Sequence, residues 1–285
     1  MATILRCGPV ADAAREEAIE VARPLMEGGE PPSLCLIRAN DDDAAVSYER
    51  SLVRAASDLG FETTLVTMSS AATEVDLIQA VEDADMDPGI DGVMVLTPLP
   101  EHVDASAVMN AIYPSKDIDG ATDLSMSGVF TGRKIGVAPA TPEAVIRILD
   151  HYHIAIEGKS VTVVGRSLVV GKPVSMMLLD RDATVTLCHS RTPDLGKALA
   201  DADIVVSAIG KPRFLTRQLL AGNPDKVVID VGVNVDDDGK LCGDVDMASI
   251  DRFVGAVTPV PGGVGAVVTS ILLLHCAMAA RSRRG

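Results

Sequence analysis

The sequence predicts an α/β protein of two domains, and three observations carry that prediction. Short β-branched apolar runs alternate with longer Ala/Leu-rich stretches of helical period, the pattern of βαβ units around a mainly parallel sheet. The pattern restarts once, after Thr141-Pro142, where a helix leads into a sharply apolar strand and a glycine turn. The 285 residues, 47% of them hydrophobic, suffice for two modest domains that bury both faces of a sheet without disulfide or metal staples.

In order along the chain, the first half predicts helices over 11–26, 44–59 and 74–84, and strands over 33–38, 62–67 and 92–96, each strand rich in Val, Ile, Leu or Thr. The second half predicts a helix over 143–151, then strands over 160–164, 184–188, 204–208 and 227–231, with a helical stretch over 174–180. A Pro/Gly-rich loop precedes a last helix over 266–280. The basic tail, 281–284, reads as a frayed end rather than a nucleic-acid arm.

Composition narrows the function. The five cysteines are scattered, with no C-x-x-C pair and no His at ligand spacing, so neither a zinc site nor a disulfide framework is expected, and a reducing compartment fits. The N-terminus lacks the basic start and apolar run of a signal peptide, and no segment is expected to reach the roughly 18 apolar residues of a membrane span. A soluble cytoplasmic protein is the expectation. A net charge of -15 opposes binding a nucleic acid but leaves room for a local basic patch holding one phosphate. The acidic runs at 41–43 and 236–238 read as solvated turns, not metal ligands.

The strand at 160–164 runs into Gly165-Arg166-Ser167-Leu168-Val169-Val170-Gly171-Lys172-Pro173 and then into a helix. A glycine turn between a strand and a helix N-terminus presents backbone N–H groups and a positive dipole end, which suits a pyrophosphate. The next strand ends at His189-Ser190-Arg191-Thr192, with no Asp or Glu where a ribose 2′-hydroxyl would need one. A 2′-phosphate suits this end better, and Arg166, Ser190 and Arg191 offer it cations and a hydroxyl. His189 reads as a packed loop residue before it reads as a ligand. The loop 259–265 is so rich in Pro and Gly that its backbone is expected to come close to something, a ligand or another segment.

Taken together, these residues resemble the methylenetetrahydrofolate dehydrogenase/cyclohydrolase family over nearly the whole chain. The marks are Ser47-Tyr48 with Leu59-Gly60-Phe61, the strand and turn from Asp91-Gly92 to Leu99-Pro100, and Lys116-Asp117-Ile118-Asp119-Gly120. Further on come Gly165-Arg166-Ser167, Gly171-Lys172-Pro173, Asp230-Val231-Gly232-Val233-Asn234, Gly243-Asp244-Val245, and the run from Thr258 to Gly265. The resemblance implies a folate domain over 1–140, completed by a C-terminal helix over 266–285, and a Rossmann-like NADP domain over 141–265, with a cleft between them. It implies a homodimer, NADP as cofactor and a tetrahydrofolate derivative as substrate. It also implies that Tyr48 and Asp119 line the folate site with Pro261, Gly262 and Gly263, and that Gly165, Arg166, Ser167, Val170, Gly171, Ser190, Arg191 and Val233 hold the cofactor.

The chain departs from that family at the positions that matter most for hydrolysis. The family's first-domain helix reads Tyr-x-x-x-Lys, and its strand carries a Gln that bonds the lysine; here those positions are Leu52 and Leu96. Donor and acceptor are lost together, which avoids leaving a buried polar group unpaired. Arg50 and Arg54 lie off the Tyr48/Leu52 face and stay protonated, so neither replaces the lysine. The family's Asn-x-Gly-Arg near 123–128 is missing, with one extra residue; its Pro-Cys-Thr-Pro is Pro139-Ala140-Thr141-Pro142; and Ala266-Val267-Val268 stands where Pro-Met-Thr is usual. Three readings stay open: a dehydrogenase whose hydrolytic step is slow or absent, a full bifunctional enzyme, and a weakly active folate- or pterin-binding relative.

Overall fold

A computed structural model describes residues 1–250 and 252–285. Along the first half of the chain run β1 (Thr3–Ile4), α1 (Gly8–Glu27), β2 (Ser33–Arg38), α2 (Asp43–Asp58), β3 (Glu62–Thr67), α3 (Glu74–Met86), β4 (Gly92–Val95), α4 (Ala105–Asn110) and α5 (Asp123–Thr131). Then follow α6 (Ala140–His151), β5 (Ser160–Val164), α7 (Gly171–Leu179), β6 (Thr184–Cys188), α8 (Leu195–Ala200), β7 (Ile204–Ser207) and β8 (Val227–Asp230). The chain closes with β9 (Asn234–Val235), β10 (Leu241–Cys242), α9 (Met247–Ile250), β11 (Ala256–Val257) and α10 (Val264–Arg284). It divides into two compact units, residues 1–11 with 141–268, and 12–140 with 269–285.

The second unit is built on a three-stranded parallel sheet ordered β3-β2-β4. All of β2 and β4 is buried, which explains the apolar run Leu34 to Ile37 and the apolar β4, whereas β3 is the partly exposed edge. On one face Cys35, Ile37, Val93 and Val95 form a core with Leu77, Val81 and Ala84 of α3 and Val108 of α4. Helix α2 starts where Asp42 accepts the Ala44 and Ala45 N–H groups, and it buries Ala45, Glu49, Leu52 and Ala56 at helical spacing.

The first unit holds a six-stranded sheet ordered β1-β11-β8-β7-β5-β6, parallel throughout. Strand β5 is flanked by β6 on one side and β7 on the other, so the order reverses at β5 and leaves a crevice at its carboxyl end. That is where Gly165 follows.

Three expectations need correction. Residues 1–11 were expected with the first half, yet β1 pairs with β11 in the sheet of the 141–268 segment, a two-residue pairing too short to leave a pattern in sequence. The basic tail is not frayed: Arg283 Nη1 donates to Ile90 O (2.6 Å) and Asp91 Oδ1 (3.0 Å), and Arg284 Nη2 to Pro31 O (3.1 Å) and Asp91 Oδ2 (2.6 Å). Asp91 has no exposed surface and also accepts the Ser33 N–H, so both cations answer a buried charge. Finally, α10 is long and apolar enough to cross a membrane by length and composition, although its polar residues interrupt any simple apolar run. Ile271 to Leu274, Cys276, Ala277 and Ala280 are fully buried, so that apolar surface is used inside the fold.

Candidate active site

The glycine turn after β5 is shaped by contacts that exclude side chains. Gly165 has φ +129°, and a Cβ there would lie 2.2 Å from Ala208 O; a Cβ on Gly171 would lie 2.0 Å from Gly165 O. Ser167 closes the turn, its Oγ accepting from Val170 N–H (3.1 Å) and Gly171 N–H (3.4 Å) while its carbonyl accepts from Lys172 N–H (3.0 Å). Helix α7 therefore starts on a tight, prefolded loop. The end of β6 lies beside it, because Gly165 N–H donates to Cys188 O (2.9 Å).

There His189, Ser190, Arg191 and Thr192 form a turn of their own. His189 N–H donates to Thr192 Oγ1 (2.9 Å), and His189 Nδ1 accepts from Arg191 N–H (3.1 Å), which gives the imidazole a turn-forming role. Arg166, Ser190 and Arg191 are all exposed, and among the described residues neither arginine is in an ion pair. Two unpaired guanidinium groups, a hydroxyl and no carboxylate at the strand end fit a 2′-phosphate.

Val233 and the Pro261-Gly262-Gly263 run meet in one hollow of about 150 Å³, walled also by Leu241 and Val260. Gly262 has φ +86°, its carbonyl accepts from Cys7 N–H (3.3 Å), and a Cβ on Gly263 would lie 2.1 Å from Pro259 O. Two buried aspartates that sequence reasoning left without a role hold this wall. Asp230 accepts N–H groups from Gly232 (3.0 Å), Asp244 (3.1 Å) and Val245 (2.9 Å). Asp244 accepts from Ser207 Oγ, Ile209 N–H, Lys211 N–H and Asn234 Nδ2, all within 3.0 Å. Burial lifts the Asp230 carboxyl to about 6 against those stabilising N–H groups. The signal was in the sequence: Gly232 and Gly243 are glycine because a Cβ would lie 2.2 and 1.9 Å from the carboxylate oxygens of Asp244 and Asp230.

In the other unit stand Tyr48, Leu52, Leu96 and Asp119. Tyr48 is half-buried on α2, and burial, then the charge of Asp119, pushes its phenol above the usual range. Leu52, one turn on, has no exposed surface, and Leu96 is 2% exposed with its N–H donated to Ile37 O (2.8 Å). Arg50 and Arg54 point to solvent. The two carboxylates of the Lys116-to-Gly120 motif divide their work. Asp117 accepts from Ala121 N–H (3.0 Å), Thr122 N–H (3.0 Å) and Ser125 Oγ (2.7 Å), which fixes the turn. Among the described residues no hydrogen bond reaches the Asp119 carboxyl. Part of Asp119 reaches the surface, yet burial, then the charge of Asp117, raises its carboxyl to about 7 despite the opposing influence of His275.

One buried polar pair beside these residues went unnoticed in sequence: Arg38 Nε donates to Glu49 Oε2 (2.9 Å), both residues being 6% exposed. Glu49 precedes Leu52 by one turn on the same buried stripe of α2. Lys116 is also structural, its Nζ donating to Ala84 O (3.0 Å) and Asp87 O (2.7 Å).

Comparison with known proteins gives one answer at every level. Residues 5–119 match the family model for the tetrahydrofolate dehydrogenase/cyclohydrolase catalytic domain, and residues 139–284 match the model for the NAD(P)-binding domain of the same family. The bifunctional protein FolD of Arthrobacter globiformis is 43% identical over 99% of this chain and 96% of its own length. That of Clostridioides difficile is 39% identical over 98% and 96%. Among solved structures, the bifunctional methylenetetrahydrofolate dehydrogenase/cyclohydrolase FolD of Campylobacter jejuni has a TM-score of 0.95 and 30% identity, covering 99% of this chain and all of that one. The Trypanosoma brucei enzyme, solved with NADP cofactor and inhibitor, has a TM-score of 0.92 and 32% identity, covering 100% and 99%.

Proposed function

The chain belongs to the tetrahydrofolate dehydrogenase/cyclohydrolase family, and from that premise we propose that it oxidises 5,10-methylenetetrahydrofolate with NADP⁺ to 5,10-methenyltetrahydrofolate, with hydrolysis of that product slow or absent. The observation that carries the second half is the burial of Leu52 and Leu96 where the family resemblance expects a lysine and its glutamine partner.

The two steps ask different things of the protein. Oxidation breaks one C–H bond of the bridging methylene, driven by a folate nitrogen lone pair, and NADP⁺ accepts the hydride at nicotinamide C4. The protein's task is alignment. In this reading Gly165, Ser167, Val170 and Gly171 cradle the pyrophosphate, Arg166, Ser190 and Arg191 hold the 2′-phosphate, and Val233 with Pro261, Gly262 and Gly263 walls the reacting end. Asp119 accepts hydrogen bonds from the pterin edge and Tyr48 lines the pocket. Hydrolysis instead needs water activated and a proton delivered to a leaving nitrogen, and an apolar Leu52/Leu96 wall supplies neither. Folate binding is assigned to the unit of residues 12–140 and 269–285, and NADP binding to that of 1–11 and 141–268. A homodimer working in the cytoplasm completes the reading, supported by the family resemblance.

Purified protein mixed with methylenetetrahydrofolate and NADP⁺ is expected to form NADPH and a lasting methenyl absorbance. The relatives' bifunctional description supports a competing reading, which rapid appearance of formyl product would establish. Leu52→Lys with Leu96→Gln is expected to introduce methenyl hydrolysis; a double variant that still dehydrogenates and hydrolyses nothing would count against the role given to these leucines.

A further inference from the structure

Residues 116–119 run as a short extra strand beside β4. Val93 N–H donates to Lys116 O (2.7 Å), and Val93 faces Asp117 in parallel register. Gly92 gives the segment its room: a Cβ there would lie 2.4 Å from Ile118 Cγ2 and 3.5 Å from Cys276 Sγ, so Ile118 and α10 both close on a position with no side chain. On the far side Ala140 N–H donates to Asp119 O (3.3 Å), and Gly120, φ +66°, packs so tightly that a Cβ on it would lie 2.6 Å from Pro139 N. The backbone that bears Asp119 is thus held between β4, α10 and the Pro139-Ala140 pair.

Helix α10 adds a polar group to that grip. Among the described residues His275 is the one buried histidine, 3% exposed in a stretch where Ile271 to Leu274, Cys276 and Ala277 have no exposed surface. Its Nδ1 lies 2.8 Å from Ile118 O, the carbonyl of the peptide that leads into Asp119. A carbonyl only accepts, so Nδ1 carries the hydrogen and donates it. The planar peptide then keeps that ring nitrogen within about 6 Å of Asp119 Cα. A second proton, taken at Nε2, makes the ring a cation and leaves this bond in place. An apolar side chain would fill the same space without the cost of burying a polar ring, so the imidazole calls for a reason beyond packing.

We propose that His275 is a positioning residue for the folate, fixing the Ile118–Asp119 peptide and, as a cation, holding Asp119 in the anionic form that accepts the N–H groups of a pterin edge. The proposal rests on the reading that Asp119 holds the pterin. The groups around that carboxyl act in the sense required: burial, then Asp117 on its own segment, push it up to about 7, and His275 from α10 pulls it down. From α2 it faces Tyr48, whose phenol is pushed above its usual range and stays neutral. Of these groups only His275 offsets the cost of the anion. Asp119 and His275 therefore titrate as a pair, and the pH at which folate binds reports both.

The test is calorimetric binding of 5-formyltetrahydrofolate to the full chain saturated with NADP⁺, across the range from about pH 5.5 to about pH 9. In His275→Asn, whose amide keeps a donor for Ile118 O, the rise of affinity with pH is expected to move up by about half a unit, making binding about threefold weaker near pH 6 and equal near pH 9. His275→Leu, which loses the donor as well, is expected to weaken binding at every pH. A rise at the wild-type pH in His275→Asn, or a loss by the same factor across the range, overturns the proposal, because a ring that only packs does not move a titration. Nitrogen NMR of the histidine rings in the unsubstituted protein decides the matter without a variant: His275 is expected to be cationic in the folate complex near pH 6, and a neutral ring there overturns the proposal as well. Asp119→Asn separates the two levels of inference. A variant as pH-dependent as the wild type defeats the pterin reading and this proposal with it, whereas a flat Asp119→Asn profile beside an unmoved His275→Asn rise defeats the role of His275 alone.

Discussion

At the scale of single residues, Asp119 makes the sharpest demand on experiment. Its carboxyl sits near pKa 7 rather than 3.8 because burial and Asp117 disfavour the anion. Between about pH 4 and pH 7 the folded chain therefore holds a proton that the unfolded chain has released, so this group's contribution to stability falls as pH rises through that window. Folate binding runs the other way, because a pterin edge offers N–H groups and wants the anion. Affinity for the folate is expected to rise between pH 6 and pH 8, and Asp119→Asn to flatten that rise in titrations across the range. Urea midpoints should flatten only in part, since Asp230, lifted to about 6, titrates in the same window. Of these residues the sequence disclosed identity but not division of labour. Asp117 and Asp119 look alike in a D-x-D motif, and only the donors around Asp117 reveal that one carboxylate builds the turn while the other stays open.

At the scale of elements, legibility followed the strength of the apolar pattern. Strands β2, β3, β5 and β6 match the expected residues because short runs of apolar or β-branched residues, Leu34 to Ile37 in β2 and Val- and Thr-rich in the other three, fill most of each. Helix α5 was invisible: Leu124 and Phe130 face solvent and Ser125 and Gly128 face inward, so it carries no apolar stripe to read. The tail of α10 was misread for the opposite reason, since adjacent arginines look like a solvated end until their buried partner is seen. Removing Arg283 and Arg284 would leave Asp91 buried and unpaired, a loss of about 3 kcal/mol or more. A chain ending at residue 282 is expected to show a clearly lower urea midpoint than the full chain, and Asp91→Asn in the shortened chain to recover part of it; equal midpoints for full and shortened chains would show the pairs to be idle.

At the scale of the whole molecule, the composition restart near residue 141 showed that two units exist, but not how the ends are shared between them. Local periodicity cannot register a strand pairing across most of the chain's length, nor a last helix whose outer half is counted with the earlier residues. Association is likewise outside the reach of pattern. As the proposed homodimer, the protein should sediment at twice its 29.7 kDa chain mass at micromolar concentration, and a species of single mass would refute that assembly. The sharing of ends also bears on synthesis. Strand β1 leaves the ribosome well before its partner β11, and β2 to β4 well before α10, so each unit stays open until its late elements emerge. Apolar strands such as β2 and β5 must then wait unsealed until β11 and α10 have emerged, which makes the growing polypeptide, rather than the finished enzyme, the form most in need of a holding chaperone.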